Sequence, residues 1–154
     1  MKKTIKSKIP QKSIISTNFE KIDYSDSYRI NKATNETIEQ LTKNLFKLPK
    51  WVALLMKLRN ALMKPFGLKT DENNQNELGG YFPIIEKTEN EIVMAINDKH
   101  LNFRTSVFID KELSGIHLTT IVHYNNIGGK FYFFFVKPFH KIIIKSMLRR
   151  ELKK

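Results

Sequence analysis

Residues 130–154, KFYFFFVKPFHKIIIKSMLRRELKK, constrain the fold more than any other stretch of the chain. On a helical period Tyr132, Phe135, Val136, Phe139, Ile142, Ile143 and Met147 fall on one broad side, with Lys130, Lys137, Lys141, Lys145 and Arg149 on the other. The pattern predicts an amphipathic helix with a basic back. Such a helix is not stable alone in water, so the remaining residues must supply an apolar surface wide enough for several aromatic rings. Taken alone, residues 130–136 would serve equally as a buried strand, and Pro138 would suit the first turn of a shorter helix. The basic stripe continues in phase from Lys130 to Arg149, which selects one long helix from about Gly129, kinked near Pro138.

The preceding residues read mainly as strands. Ile22 to Ile30 predicts a first strand, followed by a polar break in which Thr34 or Asn35 can cap a helix. Ile38, Leu41, Leu45 and Leu48 recur at helical spacing, and Pro49 suits the start of a second helix. Trp51, Leu55, Leu58 and Leu62 form its expected buried stripe, with Trp51 as a core anchor, and Pro65 and Gly67 end it. After the polar loop of residues 71–77, Gly80 to Lys87 and Glu91 to Asn97 predict a hairpin in which Pro83 marks an edge. Leu101 to Ile109 and Ile116 to Tyr124 then complete an antiparallel meander.

Each of the last two strands has one apolar side. Leu101, Phe103 and Val107 oppose His100, Asn102 and Arg104, while Ile116, Leu118, Val122 and Tyr124 oppose His117, Thr119 and His123. The expectation is an α+β fold, a curved antiparallel sheet gripping the long carboxy-terminal helix, with two short helices after the first strand. Residues 22–152 make one domain, preceded by a basic flexible tail over residues 1–21.

The chain contains no cysteine, which excludes disulfide scaffolds, thiolate zinc sites and cysteine nucleophiles and makes the cytoplasm the simplest address. Its net charge of +12 favours polyanions or anionic headgroups. The charges are dispersed, without dense basic blocks, so specific nucleic-acid binding is not expected. Lysines at the amino terminus are not followed by the apolar segment of a secretion signal, and lysines interrupt the best candidate for a membrane span.

Three blocks, PKWVALLMKLRNALMKPFGLKT (Pro49 to Thr70), KHLNFRTSV (Lys99 to Val107) and GGKFYFFFVKPFHKIIIKSMLRR (Gly128 to Arg150), resemble the family called domain of unknown function 2867. That family is similar to the START/Bet v 1, or polyketide-cyclase-like (SRPBCC), helix-grip superfamily. The resemblance implies a sheet around a long final helix and a space between them for an apolar or amphipathic small molecule. Related domains occur beside NAD-binding domains, but the chain has no Gly-x-Gly-x-x-Gly turn, and no cofactor is expected.

The candidate ligand-binding residues are Phe103, Arg104, Phe135, Phe139, His140 and Ile143. Arg104 would receive a carboxylate or phosphate, and the phenylalanines and Ile143 would wall an apolar cavity. His140, on the border of the helix faces, is the candidate acid or base; the competing reading is a histidine bonding a carbonyl freed by Pro138. Asp23 and Asp26, at odd spacing on a strand, point to opposite faces. Among the four histidines, at 100, 117, 123 and 140, no pair has HExxH spacing and no thiolate is available, and no metal site is expected. There is no nucleophile elbow or phosphate loop. The residues therefore favour a binding module for a hydrophobic or amphipathic molecule. The alternatives are a cyclase, lyase or hydrolase using His140, and a module docking on an anionic membrane through Lys137, Lys141, Lys145 and Arg149.

Overall fold

The strand signals read from sequence place a meander where the structure has one. The computed structural model describes residues 3–47, 49–51, 54, 57, 58, 61 and 83–154. Its elements are β1 (Ile5–Lys6), β2 (Tyr24–Asn31), α1 (Ile38–Leu45), β3 (Ile84–Lys87), β4 (Glu91–Asn97), β5 (Leu101–Asp110), β6 (Gly115–Tyr124) and α2 (Ile127–Leu152). All strands join one curved, six-stranded antiparallel sheet in the order β1-β2-β6-β5-β4-β3. The β5–β6 turn is closed by the Asp110 carboxylate, which accepts from Leu113 N at 3.0 Å, and Ser114 takes the left-handed backbone that the turn needs (φ 47°).

One face of the sheet is covered by the two helices. Helix α1 is capped at Thr37 rather than at Thr34 or Asn35, because Thr37 and Gln40 form a reciprocal capping box. It buries Ile38, Leu41 and Leu45 against Ile92, Met94, Val107 and Ile109, joined by Ile144, Met147 and Leu148 of α2. Helix α2 runs for 26 residues with Pro138 inside it. Pro138 lies on the exposed side, where water can satisfy the carbonyl that its ring leaves without an amide partner.

The second expected helix falls mostly outside the described residues, as do Leu48, Leu55, Leu62, Pro65, Gly67 and the 71–77 loop. Trp51 and Leu58, expected in its buried stripe, are both substantially exposed. The described core is closed instead by the apolar stripe of α1.

The helical phase of α2 also differs from the sequence reading. Tyr132, Val136 and Met147 face inward as expected, but Phe135, Phe139 and Ile142 are half exposed or more, while Phe133, Ile144 and Leu148 are buried. Residues 131–136 are apolar on every side of the helix, so periodicity alone could not choose which side meets the sheet.

The amino-terminal segment, expected as a solvated tail, packs across the opposite face of the sheet. Ile15 is fully buried with Val93 and Ile121, flanked by Ile9, Ile14 and Phe19. Buried Glu91 secures it by accepting from Ser13 Oγ at 2.5 Å and Ile14 N at 2.9 Å, and from Ser106 Oγ at 2.6 Å. These bonds satisfy the carboxylate, which is what burial of a charge requires.

The observed phase makes a sharp prediction. Leu148→Ala should cost about 2–5 kcal/mol through lost burial and a residual cavity. Phe139→Ala should cost less than about 1 kcal/mol because much of its ring remains in water. Denaturant melts of the two variants measure the contrast, and equal midpoints would contradict this rotation of α2.

Candidate functional site

On the inner face, side chains two residues apart along β2, β6 and β5 stand in rows set by the strand register. One row is Tyr28, Leu118 and Val107, and another is Tyr24, Val122 and Phe103. The first belongs to the apolar cluster beneath α1 and the end of α2, the second to the cluster with Leu101, Tyr132 and Phe133. Between them lies a polar row of Asp26, Thr120 and Thr105.

All three residues of that row are buried. Helix α2 places His140 above it, with Nε2 3.4 Å from Asp26 Oδ2, a charge-pairing distance without hydrogen-bond geometry. The rings of Phe103 and Phe133 flank the imidazole at 5.9 and 6.4 Å. Tyr24 donates its hydroxyl to Asp26 Oδ2 at 2.6 Å, and the Lys137 ammonium lies 4.9 Å from the centre of the Tyr24 ring. Burial pushes the Tyr24 phenol well above its ordinary value, and its bond to Asp26 and that group's charge push the same way. Tyr28 is raised by burial and then by the Asp26 charge.

Four polar atoms here lack a hydrogen-bond partner among the described residues: Asp26 Oδ1, Thr105 Oγ1, Thr120 Oγ1 and His140 Nε2. Together they offer a carboxylate acceptor, two hydroxyls that donate or accept, and an imidazole nitrogen able to do either. Apolar side chains bound the group on both sides. The arrangement presents hydrogen-bonding capacity between two apolar flanks.

Of the residues expected from sequence, the structure brings His140 and Phe103 to this row, and places Ile143 partly buried against the neighbouring cluster. Phe135 and Phe139 point to solvent. Arg104 lies on the outer face, donating to the carbonyls of Ile15 at 3.0 Å and Thr17 at 2.6 Å, with its guanidinium over the Phe19 ring. Its fork is thereby engaged by the amino-terminal segment. Thr105, Thr120 and Tyr24 escaped the sequence reading, and Asp26 entered it only as a partner for Asp23, although each of β2, β5 and β6 shows one polar residue in the middle of its apolar side.

The other histidines are dispersed. His123 meets Asp23 at 2.8 Å on the outer side, and His100 Nδ1 meets Asn126 Oδ1 at 3.2 Å. The Asp23 carboxyl is held below its ordinary value first by the Tyr124 backbone N–H and then by His123, against the opposing effect of desolvation. His117 is buried beside Phe108, and neither ring nitrogen has a partner among the described residues. No three metal-ligating side chains converge among the described residues. A separate open groove of about 630 Å³ lies between the start of α1 and the β3–β4 hairpin, where Lys87 pairs with Glu39. It includes no residue of the polar row.

Residues 18–147 match the model of a family described as a protein of unknown function (DUF2867). Neither a curated protein nor a solved structure matches the chain.

Burial lowers the His117 pKa, Arg29 adds to that effect, and Asp110 opposes it. Below the ordinary imidazole value of 6.5 the unfolded chain therefore binds a proton that the folded chain resists. This contribution to stability is intact above that value and declines as the pH falls through it. Melting temperatures from about pH 8 to pH 5 should drop less steeply for His117→Phe than for the parent chain. An identical pH dependence in the two would contradict the assignment.

Proposed function

This chain belongs to the DUF2867 family, and from its interior geometry we propose that it is a binding module of the START/Bet v 1 helix-grip kind, holding an amphipathic small molecule between sheet and α2. The observation that carries this reading is the polar row of Asp26, Thr120 and Thr105 facing His140, with partnerless atoms enclosed between two apolar clusters. An unsatisfied buried polar group costs about 1–3 kcal/mol, and native interiors contain few of them. A ligand head that donates to Asp26 and exchanges hydrogen bonds with the threonines and His140 offsets that cost. Because Asp26 is acceptor-only when ionised, a hydroxyl or amine suits the head better than a carboxylate.

The apolar body of such a ligand would lie along the rows containing Phe103 and Val107, with Ile143 packed against the first cluster, that of Val107. Phe135, Phe139 and Arg104 are not part of this site. A second reading, acid-base catalysis at the same place, is favoured by the carboxylate of Asp26 3.4 Å from His140 Nε2, which brings two groups able to carry protons into one buried spot. Binding requires fewer groups than catalysis and uses all four partnerless atoms.

The two readings share a test that separates function from stability. Replacing Thr105 and Thr120 with valine removes two buried hydroxyls and should raise stability by about 1–3 kcal/mol in denaturant melts. Native mass spectrometry of protein purified from its own host should show a bound small molecule in the parent chain, reduced at least about tenfold in the double variant, equivalent to about 1.4 kcal/mol. An empty parent chain, or equal occupancy in the variant, would overturn the binding reading.

A further inference from the structure

The outward face of α2 carries an apolar stripe that no described residue packs over. Ile127, Phe131, Phe134, Phe135, Phe139 and Ile142 are between 50% and 86% exposed. They recur every three or four residues, apart from the adjacent Phe134 and Phe135, and so form a continuous band along the first two thirds of the helix. Two edge-to-face contacts, Phe131 with Phe135 and Phe134 with Phe135, hold three of the rings as one surface. An exposed apolar band of this kind on a soluble surface marks an interaction site.

The charges around it identify the partner. Residues 127–150 contain Lys130, Lys137, Lys141, Lys145, Arg149 and Arg150 and no acidic residue. Lys130, Lys141 and Arg149 have no ion-pair partner among the described residues. Two copies of a chain with net charge +12 would bring these cations together, which opposes self-association through this face. Phenylalanines beside lysines match the boundary between acyl chains and anionic headgroups, where rings enter the apolar layer and ammonium groups remain with the phosphates.

We propose that the exposed Phe-Ile stripe of α2 docks in the plane of an anionic lipid bilayer, with Lys130 and Lys141 contacting its headgroups. No helix among the described residues is long and apolar enough to cross a membrane, and the contact proposed is an interfacial one. The stripe is the opposite side of α2 from His140 and the polar row, so docking does not depend on the interior ligand site.

Co-sedimentation of the full chain with phosphatidylcholine vesicles, with and without phosphatidylserine, tests this. The chain should bind the anionic vesicles, and added salt should weaken binding. Phe131→Ser with Phe134→Ser, at exposed positions, should leave the melting temperature nearly unchanged and weaken vesicle binding by more than about tenfold. Lys130→Glu with Lys141→Glu should weaken binding to anionic vesicles by about fivefold per lysine or more, with little effect on neutral ones. The threonine-to-valine variant of the interior row should bind vesicles like the parent, which separates this proposal from the ligand reading. Equal binding to neutral and anionic vesicles, no vesicle binding, or undiminished binding by the phenylalanine variant would overturn it. A dimer in solution that the phenylalanine variant abolishes, without vesicle binding by the parent, would instead assign the stripe to a second copy of the chain.

Discussion

The rotation of α2 about its own axis is fixed at its two ends, and the interior and exterior of the molecule both follow from it. At the start, Asn126 caps the helix by accepting from Gly129 N at 3.0 Å, and Gly129 sits so close to the His100 carbonyl that a Cβ there would lie 2.0 Å from its oxygen. At the finish, Arg150 donates to the carbonyls of Asn44, Leu45 and Lys47 at the end of α1, groups that a helix cannot satisfy by itself. Buried Glu151 is held there by Lys32 at 3.1 Å and Lys154 at 3.0 Å. Gly129 and Glu151 are separated by about 33 Å of helix rise. Turning the helix by one residue, about 100°, would put a side chain against His100 or remove Glu151 from its lysines.

With the ends held, His140 falls on the inward side and the phenylalanines of the stripe fall outside. The two faces of the sheet then differ in how their buried polar groups are served. On the outer face Glu91 accepts three hydrogen bonds, two of them from Ser13 and Ile14, and Arg104 donates to two carbonyls of the amino-terminal segment, while Ser106 of β5 supplies the third bond to Glu91. Ser27 and Thr119 bond each other there at 2.8 Å. On the inner face Asp26 has one donor, from Tyr24, and both threonine hydroxyls of its row lack partners among the described residues. Structural polar groups are normally satisfied, and among the described residues the inner row gathers four partnerless atoms in one place, where buried His117 on the outer face carries two.

Much of this architecture was legible in the chain. Alternation in β5 and β6 gave their extents and the apolar side that meets the helices, although the amino-terminal segment buries much of their other side as well. The existence of α2 was legible for the same kind of reason, but its phase was not, because six successive apolar residues from Phe131 give no preferred side. The choice is made by Gly129, Arg150 and Glu151, whose partners lie far away in sequence. The amino-terminal segment was hidden likewise: Ile9, Ile14, Ile15 and Phe19 have no regular period, and Glu91 and Arg104 become anchors only once the sheet has formed. His140 could be singled out as a titratable group on a helix border. Its partner Asp26 could not, because a carboxylate between two tyrosines on a strand reads as solvated until α2 is laid across it.

The central claim is that the row of Asp26, Thr120 and Thr105 beneath His140 binds the polar head of a ligand. A high-resolution crystal structure of protein purified from its own host, examined by an omit map between β2, β5, β6 and α2, measures this most directly. The expected result is continuous density for an organic molecule, with polar atoms within about 3 Å of Asp26 Oδ1 and the two threonine hydroxyls. Threonine hydroxyls turned onto backbone carbonyls, with side chains filling the space under His140 and no ligand density, would contradict it.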